Sequence, residues 1–526
     1  MKKLLTSILA VLSTAVAVHA QRAVDSPKLV VGIVIDQLRG DYLSQFYEMF
    51  GEGGFKRLIR EGVYYSDMKY DFPKVDQASA IATLYTGSNP WYHGIIAAKR
   101  YDREKKKAVS SLLDPAYMGN FTDETVSPRS LLVSTITDEL KVATDGFGSI
   151  FSFAPEYEAA LVSAGHAADG AFWIDNRYRK WATSTYYTNI PYYFEIDNTK
   201  KPLSDRLESM NWAPLNSPSS YRFIPYQQKD FGFNYSFKKN RDNFSSYKTS
   251  ALVNEEVNRM VLTFFDHETF GKRSYPDFLS LTLHAGNFKT KDHKSHVVEM
   301  QDLYLRLDRQ LEVLLNRIDA SVGLKNALVF VASTGYFAEN EYISEKLNVP
   351  TGVFSVTRAT ALLNMYLMSI YGHENWITAY YNREIFLNKK LIEDKQLDLR
   401  QFETKAADFL MQISGIQDVI PSYTLLHERS NDQVQESRNG FHRKLSGDLI
   451  IELQSGWQES NDDSKTEQPR ITKSAILAPL FFFGNNIKPI QVYRQVKATE
   501  VAPTVAYFLR IRAPSACSAT MLPEFK

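Results

Sequence analysis

The stretch Leu29-Val30-Val31-Gly32-Ile33-Val34-Ile35-Asp36 decides the fold. It is a continuous apolar run rich in β-branched residues, with no polar alternation. That is the pattern of a strand buried on both faces of a parallel sheet. Working outward, Ala327-Leu328-Val329-Phe330-Val331-Ala332 repeats it, and Leu480-Phe481-Phe482-Phe483-Gly484 repeats it again. Phe278-Leu279-Ser280-Leu281-Thr282-Leu283 is a less apolar version. Helical patterns lie between these runs, clearest from Tyr304 to Leu315. Strands alternating with helices predict an α/β fold around a mostly parallel sheet. Such sheets bind ligands beyond the carboxyl ends of their strands, which singles out residues such as Asp36.

The chain has 526 residues, 44% of them hydrophobic, enough for one large domain with insertions. Met1-Lys2-Lys3, an apolar run from Leu4 to Val18 and the small residues of Val18-His19-Ala20 read as a signal peptide over 1–20. The run is too short for a comfortable membrane span, so no transmembrane segment is expected after cleavage, and the protein is expected to be periplasmic or secreted. The one cysteine, Cys517, excludes an intramolecular disulfide. A net charge of +1 gives no general attraction to nucleic acid or to anionic membranes. Two segments interrupt the strand–helix rhythm, an aromatic one at about 186–239 and another at about 351–439, and both are expected to be insertions in a domain spanning 21–526.

Single motifs say little. Gly51-Glu52-Gly53-Gly54 reads as a turn before a helix, and the segment carrying Glu156 and Glu158 as a solvated loop. His284, Asp292, His293 and His296 form the densest group of potential metal ligands, although surface polar residues near a loop account for such a group more often than a metal does.

The order of the longer stretches is more specific. Val31 to Tyr42, Gly51 to Leu58, Tyr85-Thr86-Gly87, His93-Gly94-Ile95-Ile96, Thr135 to Leu140, Ala164-Gly165-His166 and Tyr304 to Asp308 come in a characteristic sequence. The chain resembles the monomeric, zinc-dependent alkaline phosphatases of Bacteroidota. More broadly, it resembles the type I phosphodiesterase/nucleotide pyrophosphatase branch of the alkaline phosphatase superfamily. The resemblance implies a three-layer sandwich with inserted cap segments and a site in which two zinc ions and a hydroxyl nucleophile act on a phosphoryl group.

Carried over position by position, that site is degenerate. The nucleophilic threonine aligns to Gln77, whose amide cannot attack phosphorus, and Ser79 and Thr83 are the nearest hydroxyls. Of six metal-ligand positions only Asp36 keeps its ligand, the others being Asn287, Lys291, Ser333, Thr334 and Leu477. The phosphate-binding positions become Ala98, Glu156 and Glu158, and the two acids would repel a phosphate. These changes imply a protein without a metal cofactor or phosphatase activity, a pseudoenzyme with a binding or assembly role toward an envelope protein or polymer. The alternative is a metal-dependent phosphatase or phosphodiesterase with a rearranged site. If the metals are gone, Lys291, or failing that Arg39, is expected to neutralise Asp36.

Overall fold

The computed structural model describes residues 26–188, 190–221, 232–238, 242–286, 288, 297–338, 352–427, 432–460, 470–471 and 477–526. The expected signal peptide, Asn287, Lys291, Asp292, His293 and His296 lie outside the described residues.

Ten strands build the main sheet: β1 (Leu29–Asp36), β2 (Val63–Tyr65), β3 (Gly119–Asn120), β4 (Ile150–Ala154), β5 (Gly170–Ile174), β6 (Trp181–Ser184), β7 (Asp277–His284), β8 (Ala327–Ser333), β9 (Leu480–Gly484) and β10 (Ile490–Val492). Their order is β10-β2-β9-β8-β1-β7-β4-β5-β6-β3. The central block β8-β1-β7-β4-β5 is parallel, while β9 and β6 join it antiparallel. Every residue of β1, β7 and β8 is buried, which explains their unbroken apolar runs. Within β1, Gly32 is required by packing. A Cβ there would lie 2.5 Å from the Phe330 ring and 2.6 Å from the Tyr85 hydroxyl.

Side chains alternate between the two faces of the sheet. Leu29, Val31, Ile33 and Ile35 enter one core, together with α3 (Ala251–His267) and α4 (Val297–Val322). Val30 and Val34 enter the other, beneath α1 (Gln77–Thr86), α2 (Tyr157–Ala164) and α5 (Val501–Leu509). The result is helix, sheet, helix, the three-layer α/β architecture expected.

The two irregular segments differ in kind. Tyr193, Phe194, Trp212, Tyr221 and Phe237 of the aromatic segment are buried in the first main core, so these rings pack the domain and are not offered to a ligand. The other segment has its own core of Leu363, Trp376, Phe402, Leu410 and Ile451 beneath a four-stranded sheet. That unit reaches past the expected boundary at 439. The strand Leu449–Leu453 pairs with both Glu384–Leu387 and Ile416–Pro421, and Trp457–Ser460 pairs with Gly352–Ser355.

Candidate functional site

The carboxyl ends of the three central strands meet at one place. In register, Asp36 ends β1 opposite His284, which ends β7, and Ser333 ends β8 opposite Ile35. The Asp36 carboxylate is buried and surrounded by donors. Its Oδ1 accepts hydrogen bonds from the Tyr336 hydroxyl at 2.8 Å and the Thr334 hydroxyl at 3.0 Å. The Gln37 amide stands 3.4 Å from Oδ2, and the His284 Nδ1 lies 3.8 Å from Oδ2, an electrostatic contact too long for a hydrogen bond. Burial alone would raise the pKa of Asp36, but His284, Tyr336 and Thr334 outweigh it and hold the group below the ordinary carboxylate value.

Thr334 has two tasks, because its oxygen also accepts from the Gln37 backbone N–H at 2.8 Å. That bond braces Gln37 at φ 60°, a left-handed turn unusual for a non-glycine residue. Ser333 points away from Asp36. Its hydroxyl donates to the Leu38 carbonyl at 2.7 Å and accepts from the Gly335 N–H at 3.2 Å. Leu477 touches this region through its backbone carbonyl, which accepts from Gly40 N–H at 2.8 Å. Arg39 does not neutralise Asp36. It forms a bidentate pair with Asp41, at 2.7 and 3.0 Å, and its guanidinium stacks 4.0 Å over the Tyr42 ring.

These residues do not fit a two-zinc centre. Among the described residues, one oxygen of Asp36 is engaged by two hydroxyls, the Ser333 hydroxyl is committed to backbone groups, and Leu477 offers no side-chain donor atom.

Gln77 is the first residue of α1 and is half-buried. The helix starts there because Asp76 caps it. The Asp76 carboxylate accepts from Ser79 N–H at 2.9 Å, from the Ser79 hydroxyl at 2.8 Å and from Ala98 N–H at 2.7 Å. The structure therefore brings Ala98 beside the start of α1, where Gln77 stands. Ser79 and Thr83 are fully buried, and Thr83 donates to the Ser79 carbonyl at 2.9 Å, so neither hydroxyl is available as a displaced nucleophile. His93, 3.2 Å from the Thr83 hydroxyl, is kept neutral, with burial and nearby His442 pulling its pKa down to about 3.

Glu156 and Glu158 are not in a solvated loop. Glu156 stands at the N-terminal boundary of α2, with Glu158 in the first turn. Glu156 Oε2 accepts from the buried Lys248 ammonium at 3.0 Å. Glu158 is buried and forms no ion pair among the described residues, and burial, followed by the neighbouring Glu156, pushes its pKa up to about 7. Both acids line a groove of about 570 Å³ together with Lys99, Lys105 and Lys107 of the hairpin Lys99–Asp102/Lys107–Ser110.

Sequence reasoning missed Tyr336, Lys248 and the place of His284, which it grouped with surface residues. The available signal for His284 was its position: it ends an apolar run as Asp36 does. Tyr336 and Lys248 had no such signal, because only folding brings them to their partners.

The strand order and the acid at the carboxyl end of β1 define a three-layer α/β protein built on a mostly parallel sheet. The family model for type I phosphodiesterase / nucleotide pyrophosphatase matches residues 30–475, and the chain belongs to that family. Among curated relatives it is 30% identical to alkaline phosphatase PafA of Elizabethkingia meningoseptica, covering 98% of this chain and 97% of that protein. It is 28% identical to alkaline phosphatase PhoV of Synechococcus elongatus, covering 94% of this chain and 92% of that one. The crystal structure of wild-type PafA superposes with a TM-score of 0.84 at 28% identity, covering 96% of this chain and 99% of that structure. The family and fold implied by the resemblance are thus established, within the alkaline phosphatase superfamily.

Proposed function

We propose that this chain is an exported alkaline phosphatase-like protein that does not hydrolyse phosphate esters and has a binding or assembly role in the bacterial envelope. The observation that carries the reading is the state of Asp36. The one acid retained from the family's metal positions is hydrogen-bonded by Thr334 and Tyr336, so its charge is stabilised by protein groups. Gln77 at the start of α1, and Glu156 and Glu158 at the start of α2, support the same reading, since an amide cannot attack phosphorus and carboxylates would repel a phosphoryl group. Export rests on the N-terminal pattern of charge and apolar residues. Among the described residues, no helix is long and apolar enough to cross a membrane.

The second reading, a metal-dependent phosphatase with a rearranged site, is supported by the relatives, which are alkaline phosphatases. The test is hydrolysis of p-nitrophenyl phosphate and bis-p-nitrophenyl phosphate by purified protein, with zinc supplied and metal content measured on the same sample. The proposal expects turnover at background. Zinc-dependent turnover abolished by Asp36→Ala would establish the second reading instead.

A further inference from the structure

His166 follows α2 after Gly165, and its imidazole sits between two acceptors. Nδ1 lies 2.8 Å from the Asp138 carboxylate, and Nε2 lies 3.0 Å from the Leu131 carbonyl. A neutral imidazole has one N–H and one bare lone pair, so it can serve only one of these acceptors. At the other it would set lone pair against lone pair. Only the imidazolium donates at both ends.

The surroundings favour that charged form. The Asp138 oxygens also accept from the backbone N–H groups of Thr135, His166 and Ala167, at 2.7 to 2.9 Å. Burial would raise Asp138, but His166 and these N–H groups outweigh it and hold the acid below its ordinary 3.8. Burial would likewise lower His166, but Asp138 and the Leu131 carbonyl outweigh it and hold the imidazole above its ordinary 6.5. The other titratable groups nearby are otherwise engaged. Tyr186 and Tyr187 donate to the His166 and Gly165 carbonyls at 3.0 Å, and burial keeps both phenols protonated. Arg129 stands 3.7 Å from Asp114, and Glu139 accepts from the Ser134 hydroxyl.

The segment that His166 grips, 128–134, leads into the helix Ile136–Ala143 and ties separate parts of the domain together. Leu132 N–H donates to the His93 carbonyl at 3.1 Å, and Ser134 and Ser515 exchange hydrogen bonds at 2.8 and 3.2 Å. We propose that His166 is a pH-sensitive clasp, whose imidazolium fastens segment 128–134 to the end of α2 and whose neutral form releases the Leu131 end. The proton leaves Nε2 for water, which reaches the ring because 31% of the side chain is exposed, while Nδ1–H stays on Asp138. The clasp's contribution is complete below pH 6.5 and is lost as pH rises through the raised value of His166. Asp138 sets the acid limit, losing its share as pH falls through its lowered value. The device requires neither the presence nor the absence of phosphatase activity.

The experiment is a pH titration of full-length protein carrying ring-15N histidine, followed by long-range proton–nitrogen correlation spectra and, in parallel, by amide hydrogen exchange. His166, assigned by the signal missing in His166→Gln, should show two protonated nitrogens at about pH 6 and titrate above 6.5. Asp138→Asn should lower that midpoint. In unaltered protein, protection of the Leu132 amide, corrected for the intrinsic pH dependence of exchange, should fall about tenfold across the midpoint. The exchange measurement needs no variant and stands even if both substitutions prevent folding. A single protonated nitrogen at about pH 6, a midpoint at or below 6.5, or protection that does not change with pH would overturn the inference.

Discussion

Asp36 and Glu158 are both buried acids, exposed by only 5% and 9%, yet their surroundings drive them in opposite directions. Asp36 receives two hydroxyl donors and an imidazole from β7 and from the segment after β8, and its charged form is stabilised. Glu158 faces another acid, Glu156, whose ammonium partner Lys248 is spent on Glu156, and its charged form is disfavoured. Burial is common to both. The comparison teaches that donors, and not depth, decide whether a buried acid stays ionised, and that the charge is resolved at the Asp36 end and left open at the Glu158 end.

The largest effect should come from breaking the resolved end. Thr334→Val with Tyr336→Phe removes both donors to Oδ1 and leaves a buried carboxylate undercompensated. It should destabilise the protein by about 3–5 kcal/mol in urea unfolding, the range for stranding a buried charge. A loss below about 1 kcal/mol would show that water or His284 can replace the hydroxyls.

Next is the open end, where removing a charge should help. Glu158 has its pKa raised from an ordinary 4.5 to about 7. A raised carboxyl favours the folded state only while protonated, so its penalty is absent below about pH 4.5, grows through neutrality and is complete above about pH 7. Glu158→Gln should therefore stabilise the protein by about 2–3 kcal/mol at pH 8, with the advantage vanishing near pH 5. Thermal unfolding at the two pH values checks both sign and window.

Asp76 sharpens the comparison as a third buried acid, one with three donors and a purely structural duty. Asp76→Ala uncaps α1 and releases Ala98, and should cost about 2 kcal/mol, at the upper end for an N-cap. The smallest effect is Gln77→Thr. It should change stability by less than about 0.5 kcal/mol at a half-buried first-turn position, and phosphate ester turnover should stay at background. Clear turnover in that variant alone would mean that Asp36 still works with a metal.

The apolar runs determined the architecture without help from the fold. A strand covered on both faces excludes polar residues, so Leu29–Ile35, Ala327–Ala332 and Leu480–Phe483 announce the sheet locally. The same sequence pointed to Gln77, Ser333, Thr334 and Leu477 as the positions to examine, because the stretches around them resemble the family's. The aromatic segment looked like a separate cap because composition does not reveal which face a ring turns to, and packing put most of the described rings into the main core. The second insertion was drawn too short because the strand that completes its sheet, Leu449–Leu453, follows a helical stretch and pairs backward. What meets the charge of Asp36 was decided only by tertiary structure. Arg39 lies nearer to Asp36 in sequence than any other basic residue, yet it pairs with Asp41, while the true donors come from almost 300 positions away. Likewise two acids in a polar segment read as solvated until α2 turned Glu158 inward. Pattern encodes which residues can be buried, but the partner that makes a buried charge tolerable is supplied by chain brought alongside it in space, and that pairing has no local signature.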